Sequence, residues 1–245
     1  QPGTSTDMTN CQLSGFEPIF APTKVACDPT ASLEEEGHAA IWLAAESAFT
    51  MNLDSCLISD SHDGIHTGAS PTSTAAVNVR SCTFRDNETA IEAFANVLTV
   101  TDSSFVRNIL KGQCAGGLDV PGEGIALRGA GTLTARNCIF EDNNIGVWVD
   151  SPTSATVDLG TVSDAGLNKF RKSSGFTGWY SAIVGKTAST ATPIAIFAIG
   201  NEWLPARQYA TNPPSGPGLY DSTSPVVSCA STHCGATNKT NCMTG

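Results

Sequence analysis

Four segments of the chain superimpose: LDSCLISDSHDGI (53–65), VRSCTFRDNETAI (79–91), VTDSSFVRN (100–108) and ARNCIFEDNNIGV (135–147). Each carries an apolar residue, two polar residues, Cys or Ser, any residue, Ile or Phe, two polar residues and then usually Asn. Six places after Ile58, Phe84 and Phe140 comes a small residue (Gly64, Ala90, Gly146), followed by Ile65, Ile91 or Val147. The steps between the Cys/Ser positions are 26, 21 and 35 residues. The longest holds an excursion around KGQCAGGLDVPGEG (111–124), after which Gly124-Ile125 resumes the pattern.

A period in the twenties built from short alternating strands points to a solenoid in which each repeat is one coil. Leucine-rich repeats have this period, but their leucine spacing is missing, and helical repeats need longer units. The fit is an all-β, single-stranded right-handed parallel β-helix. Each coil then has three short strands, paired with their counterparts in the next coil about 4.8 Å away. A sandwich or jelly roll remains the alternative, since short strands with frequent turns look alike in sequence.

In the β-helix, Val79, Cys82 and Phe84 point inward and Arg80 and Thr83 outward, with a bend between Arg80 and Cys82. Ile58, Phe84, Phe105 and Phe140 form an internal ladder. Asn87, Asn108 and Asn143 form a second one at a turn, where side-chain amides satisfy backbone groups between coils. The small residue before Ile65, Ile91 and Val147 is expected to allow a tight turn.

These coils resemble the pectate-lyase-like superfamily of right-handed parallel β-helix proteins. VDLGTVSDAGLNKF (157–170) followed by IFAIGNEW (196–203) is similar to the closing coils of bacterial secreted β-helix proteins of the DUF1565 type. The resemblance covers about residues 40–205 and implies fold more than chemistry, because the superfamily hosts lyases, hydrolases, epimerases and binders. Three regions follow: an N-terminal segment and cap (1–39), the β-helix (40–205), and a Pro/Gly/Ser-rich, Cys-containing tail (206–245). Solenoid ends need capping against edge pairing. SLEEEGHAAIWL (32–43) places Ser32 and Glu35 at capping-box spacing, predicting a short helix that leads into a strand at Ala40-Ile41.

The chain begins at Gln1 without an initiator Met or signal peptide and reads as a mature or trimmed product. Nine cysteines suggest an oxidising compartment, hence a secreted, periplasmic or cell-surface location. Cys56, Cys82 and Cys138 are expected to be buried reduced thiols, because stacked parallel Cβ vectors suit a disulfide badly. Cys11 and Cys27 can pair with each other. The tail cysteines Cys229, Cys234 and Cys242 suit disulfides, or with His233 a zinc site.

Thirteen basic against 23 acidic residues give a net charge of −10, which disfavours nucleic acid and anionic membranes. No apolar run reaches the length of a membrane span.

The densest group of chemistry-bearing residues is SDSHDGIHTG (59–68), with Asp60, His62, Asp63 and His66. Such a set suits calcium through its oxygens, a transition metal through its imidazoles, or acid–base work. It equally decorates a solvated turn. No other cofactor is implied. Outward charges at Arg80, Arg85, Asp86, Glu92, Arg107, Arg136, Glu141 and Asp142 fit a mixed ladder between coils better than a lyase site, which stacks carboxylates for calcium. Trp148, alternating with Val147 and Val149, is expected to point outward, either as a platform for sugar rings or covered by a loop such as the 111–124 excursion; Trp179-Tyr180 is the other candidate platform. Asn87 and Asn238 head N-glycosylation acceptor triplets.

The leading expectation is a non-catalytic β-helix that binds carbohydrate or another surface component. The alternatives are a polysaccharide lyase or epimerase working on an outward sheet, and a structural segment of a larger surface or adhesin protein. Three or more carboxylates with a basic residue in one outward groove would favour the enzyme; an aromatic and amide surface would favour the binder.

Overall fold

The computed structural model describes residues 4–15, 39–43, 49–68, 75–94, 97–109, 122–128, 131–151, 155–176, 181–187, 195–204, 208–210 and 226–229. Their 22 strands form three sheets in which every pairing is parallel. The first sheet stacks Thr4–Thr9, Phe49–Asp54, Ala76–Arg80, Val97–Thr101, Thr132–Arg136, Thr156–Asp158 and Ala195–Phe197. The second stacks Gln12–Ser14, Leu57–Ser59, Thr83–Arg85, Ser104–Val106, Ile139–Glu141, Lys169–Arg171 and Glu202–Leu204. The third runs Ala39–Leu43, Asp63–Thr67, Thr89–Phe94, Glu123–Arg128, Ile145–Ser151, Ser181–Thr187, Val226–Cys229 and Gln208–Ala210. As far as Gln208–Ala210 chain order visits the three sheets in turn, so each coil gives one strand to each and the chain is a parallel β-helix; Val226–Cys229 then adds a further strand to the third sheet, between Ser181–Thr187 and Gln208–Ala210. A sandwich is excluded.

The strand ladder extends past 40–205 on both sides, through Thr4–Thr9 and Gln12–Ser14 at one end and Gln208–Ala210 and Val226–Cys229 at the other. Ala39–Leu43 is a strand with Ile41 opposite Ile65, as the Ala40-Ile41 match implies. The capping helix expected from Ser32 lies outside the described residues. No helix among the described residues is long and apolar enough to cross a membrane.

The columns explain the repeat. Phe84, Phe105, Phe140 and Phe170 stack with nearly parallel rings at centroid spacings of 5.2, 4.8 and 4.7 Å, and Trp203 continues the file 4.7 Å beyond Phe170. All four phenylalanines are fully buried, and Ile58 stands opposite Phe84 at the other end. The glycines beside this file owe their place to crowding. A Cβ on Gly64, Gly124 or Gly146 would lie 2.5, 2.6 or 2.5 Å from a carbonyl oxygen of the next coil, and close to a ring of the file. None of the three has a positive φ, so the expected tight turn is not the reason for them.

The bends are where the backbone turns left-handed. Asn10, Ser55, Ser81, Asp102 and Asn137 occupy the bend from first to second sheet with φ between 52° and 59°; Asp60, Asp86, Arg107 and Asp142 do so after the second. Asn and Asp tolerate this region better than other side chains, which is why they dominate there. The predicted bend between Arg80 and Cys82 is Ser81.

Each bend leaves inward-facing backbone groups that water cannot reach, and side chains of the adjoining coil satisfy them. Asn87, Asn108 and Asn143 are fully buried. The Asn87 N–H and Nδ2 donate to Asn108 Oδ1 at 3.2 and 3.0 Å; those of Asn108 donate to Asn143 Oδ1, both at 2.9 Å. Buried and doubly bonded, Asn87 is a ladder member and offers no free amide to a glycan.

The Cys/Ser column works in the same way. The N–H of Cys56 points at Cys82 Sγ (3.4 Å), that of Cys82 at Ser103 Oγ (3.1 Å) and that of Cys138 at Asn168 Oδ1 (2.9 Å). Asn168 N–H passes the pattern on to Asn201 Oδ1 (3.0 Å). The position therefore selects a small side chain with a hydrogen-bond acceptor. Cys82 and Cys138 are free and buried as expected. Cys56 is not: it forms a disulfide with Cys11 across the first two coils. Their Cα atoms are 4.6 Å apart, within disulfide reach, so stacked positions do accommodate the bond. Cys27 lies outside the described residues.

The expected outward charge ladder forms in part: Arg107 grips Asp86 through two bonds of 2.8 and 2.9 Å, while Asp142 is taken by Ser173.

Two substitutions test these columns. Phe105→Ala should cost about 3–5 kcal/mol, the usual range for emptying an aromatic site in a core, read from denaturant unfolding. Cys82→Ser should be tolerated within about 1 kcal/mol, because Ser103 already serves the same role one coil on. Cys82→Val should cost about 1–3 kcal/mol, since it strands the Cys56 N–H.

Candidate functional site

On the third sheet two consecutive residues of a coil turn inward, as at Gly64-Ile65 and Ala90-Ile91. The residues flanking this pair both face out. One outward column, set by register, is Trp42, His66, Glu92, Ala126 and Trp148; the neighbouring one is Asp63, Thr89, Glu123 and Ile145. A polar network fills the space between the two columns.

His66 Nδ1 lies 2.9 Å from Asp63 Oδ2 and 3.0 Å from Glu92 Oε2. Arg128 Nε reaches Glu92 Oε1 at 2.9 Å and its Nη2 lies 3.5 Å from Glu123 Oε1. Thr89 donates to Glu123 Oε2 at 2.6 Å. His62 borders the network, 3.5 Å from Asp63 and 3.7 Å from Glu88. Aromatic rings wall it: Trp42 stacks on the His66 imidazole at 4.2 Å and 12°, Phe94 lies 5.5 Å from it, and Arg128 sits 5.3 Å over Trp148.

Burial decides the charges. It would lower the His66 pKa, yet the two carboxylates on Nδ1 outweigh it and lift the group to about 9. Burial would raise Asp63, but the hydrogen bonds and charges of His62 and His66 hold it below its ordinary value. Glu123 is fully buried; desolvation outweighs Arg128 and Thr89, and its pKa rises to about 8. At neutral pH His66 is therefore an imidazolium and Glu123 mostly a neutral acid.

Of the residues singled out in sequence, Asp63 and His66 meet at the centre and His62 at the edge. Asp60 stands apart, exposed at its left-handed bend. Trp148 faces outward but is only 9% exposed, packed with Ile145 in a small cluster of its own. Trp179 and Tyr180 lie outside the described residues, as do His233, Cys234, Cys242 and the side chain of Cys229. Glu92 was visible as an outward charge; Trp42, Glu123, Thr89 and Arg128 were not assigned to a site. Their signal was positional: Glu123 precedes Gly124-Ile125 as Asp63 precedes Gly64-Ile65, and Trp42 follows Ile41 as His66 follows Ile65.

Asp63, His66 and Glu92 offer one nitrogen and two carboxylate oxygens within 4.8 Å of one another, which makes them the metal-capable group among the described residues. A borderline transition ion suits such a set better than calcium, which prefers oxygen alone. The face also brings together three carboxylates with Arg128 and His66, the combination expected of an enzyme.

The titrations carry a prediction. Glu123 and His66 both hold their protons more tightly in the fold than in the unfolded chain, so their contribution to stability is lost as pH rises. For Glu123 that loss runs from its ordinary 4.5 to about 8, and for His66 from 6.5 to about 9. Asp63 has the opposite sign, confined to pH below its ordinary 3.8. The melting temperature should therefore fall from about pH 5 to about pH 9. Glu123→Gln should flatten the lower part of that fall; parallel profiles for the two proteins would contradict the assignment.

The family model described as "Right handed beta helix region" matches residues 37–177, more than half of the chain. No curated protein and no solved structure matches it. The stacked phenylalanine and asparagine files, the three parallel sheets and this match agree: the chain belongs to the right-handed β-helix family.

Proposed function

We propose that this β-helix binds a carbohydrate on the outer face of its third sheet, without chemistry, outside the cytoplasm. The observation that carries the reading is Trp42: its indole is 39% exposed and is backed on one face by an imidazolium held between two carboxylates. An indole fixed in this way presents an apolar surface to the CH face of a sugar ring at little entropic cost. The partly exposed edges of Glu92, Arg128, His62 and Glu88 beside it suit sugar hydroxyls. The Cys11–Cys56 disulfide supports an oxidising compartment.

A polysaccharide lyase or epimerase is the second reading, favoured by the three carboxylates beside Arg128 and His66. Binding ranks first because the charges are already matched inside the network. Asp63 and Glu92 are paired with His66 and Arg128, and Glu123 is sealed from solvent. Little is left open to accept a proton from a substrate.

A glycan array with wild type and Trp42→Ala tests the first reading. A loss of roughly tenfold or more in apparent affinity is expected. Equal binding by both proteins would move the ligand elsewhere. Appearance of the unsaturated ultraviolet-absorbing product on a uronate polymer, with or without calcium, would establish the lyase instead.

A further inference from the structure

The start of the rod carries more sulfur than the acceptor role of its column requires. Cys11, Cys56 and Cys82 hold one position in three successive coils, each just before a register partner: Gln12 pairs with Leu57 and Leu57 with Thr83. One coil on, Ser103 shows that a hydroxyl suffices as acceptor, and it separates Cys82 from Cys138. Three sulfurs therefore stand in line, and the third is a free thiol.

The two steps between these cysteines repeat one another. The Cys11 N–H points at Cys56 Sγ and the Cys56 N–H at Cys82 Sγ, both at 3.4 Å. The flanking backbone bonds match as well. Leu57 donates to the Cys11 carbonyl and Thr83 to that of Cys56, both at 2.8 Å; Asn10 donates to Asp54 and Ser55 to Arg80, both at 3.0 Å. Cys56 and Cys82 also aim their sulfurs alike, 3.5 and 3.1 Å from the carbonyl oxygens of Asp54 and Arg80. The first step holds a disulfide. The second offers the same geometry, at a coil spacing of about 4.8 Å that lies within disulfide reach.

We propose that Cys11, Cys56 and Cys82 form a thiol–disulfide exchange site, in which Cys82 resolves the Cys11–Cys56 bond and frees Cys11 to react with a low-molecular-weight disulfide such as oxidised glutathione. Cys82 stands on the side of Cys56 opposite Cys11, the side from which a thiolate displaces a leaving sulfur. Cys82 gives its proton to water and bonds to Cys56 Sγ; the Cys11–Cys56 bond breaks and its electron pair leaves on Cys11 Sγ. The Cys11 thiolate then takes a proton, or attacks oxidised glutathione to give a mixed disulfide and one glutathione. Each S–S bond made replaces one broken, so no further oxidant is consumed. Cys56 and Cys82 are buried whereas Cys11 is only half-buried, so the exchange moves a thiol from the interior to the surface. Burial raises the Cys82 pKa, which places the step on the slow scale of uncatalysed disulfide rearrangement, minutes to hours. The site is independent of the Trp42 surface, and each can fail without the other.

The test is peptide mapping of the full chain after reaction with N-ethylmaleimide. Cleavage by trypsin and a glutamate-specific protease puts Cys11, Cys27, Cys56 and Cys82 on separate peptides. In wild type the reagent should trap Cys11 while a Cys56–Cys82 linked peptide accumulates. Cys82→Ser should slow the labelling of Cys11 tenfold or more. Cys11→Ser, which leaves both remaining sulfurs in place, should join Cys56 to Cys82 on treatment with oxidised glutathione. Labelling of Cys82 with the Cys11–Cys56 bond intact, equal labelling of Cys11 with and without Cys82, or failure of Cys56 and Cys82 to join in Cys11→Ser would each overturn the assignment.

Discussion

The stacking of like on like between coils is the constraint on which everything else in this molecule rests. A parallel coil repeats its neighbour's backbone path, so any polar group stranded at a bend in one coil is stranded at the same place in the next. The economical remedy is a side chain of the adjoining coil, repeated at each level. Asn108 answers the N–H of Asn87, and Asn143 answers that of Asn108. Ser103 and Asn168 do the same for Cys82 and Cys138. The phenylalanine file fills the space between these polar columns with rings at van der Waals spacing.

The same repetition shapes the surface. Residues far apart in the chain, such as Asp63, Glu92 and Glu123, become neighbours because they hold equivalent positions in successive coils. Three acids on one face would repel one another. The face is kept neutral by two cations and by one protonated acid: His66 is charged, Arg128 is charged, and Glu123 keeps its proton. Burial of Asp63, His66 and Glu123 strengthens the network's internal bonds and raises the cost of breaking them. What the network shows to solvent is Trp42 and the rims of a few polar groups.

Much of the fold was legible from spacing alone. Cys82-x-Phe84 and Cys138-x-Phe140 announced a coil with two inward columns, and Asn87, Asn108 and Asn143 announced the turn. The later coils carry the same message in altered residues. Asn168-x-Phe170 and Asn201-x-Trp203 replace sulfur by an amide because the position asks for an acceptor, not for cysteine. The Cys11–Cys56 bond was not readable, because the two segments are joined by a stretch with no repeat to fix their register. The site was half readable: SDSHDGIHTG supplied Asp63 and His66, but the partners that set their charge come from other coils. Glu123 follows an excursion of irregular length, and Trp42 comes from a coil whose other strands lack the full pattern.

Amide hydrogen exchange in Asn108→Ala examines the bonding between coils most directly. That substitution removes the acceptor of the Asn87 backbone N–H, together with that of the Asn87 side-chain amide, and leaves the N–H at position 108 bonded to Asn143. If the columns satisfy the bends, exchange at Asn87 should accelerate sharply while position 108 stays protected. Unchanged exchange at Asn87 would mean that the buried amides do not carry the coil-to-coil bonding.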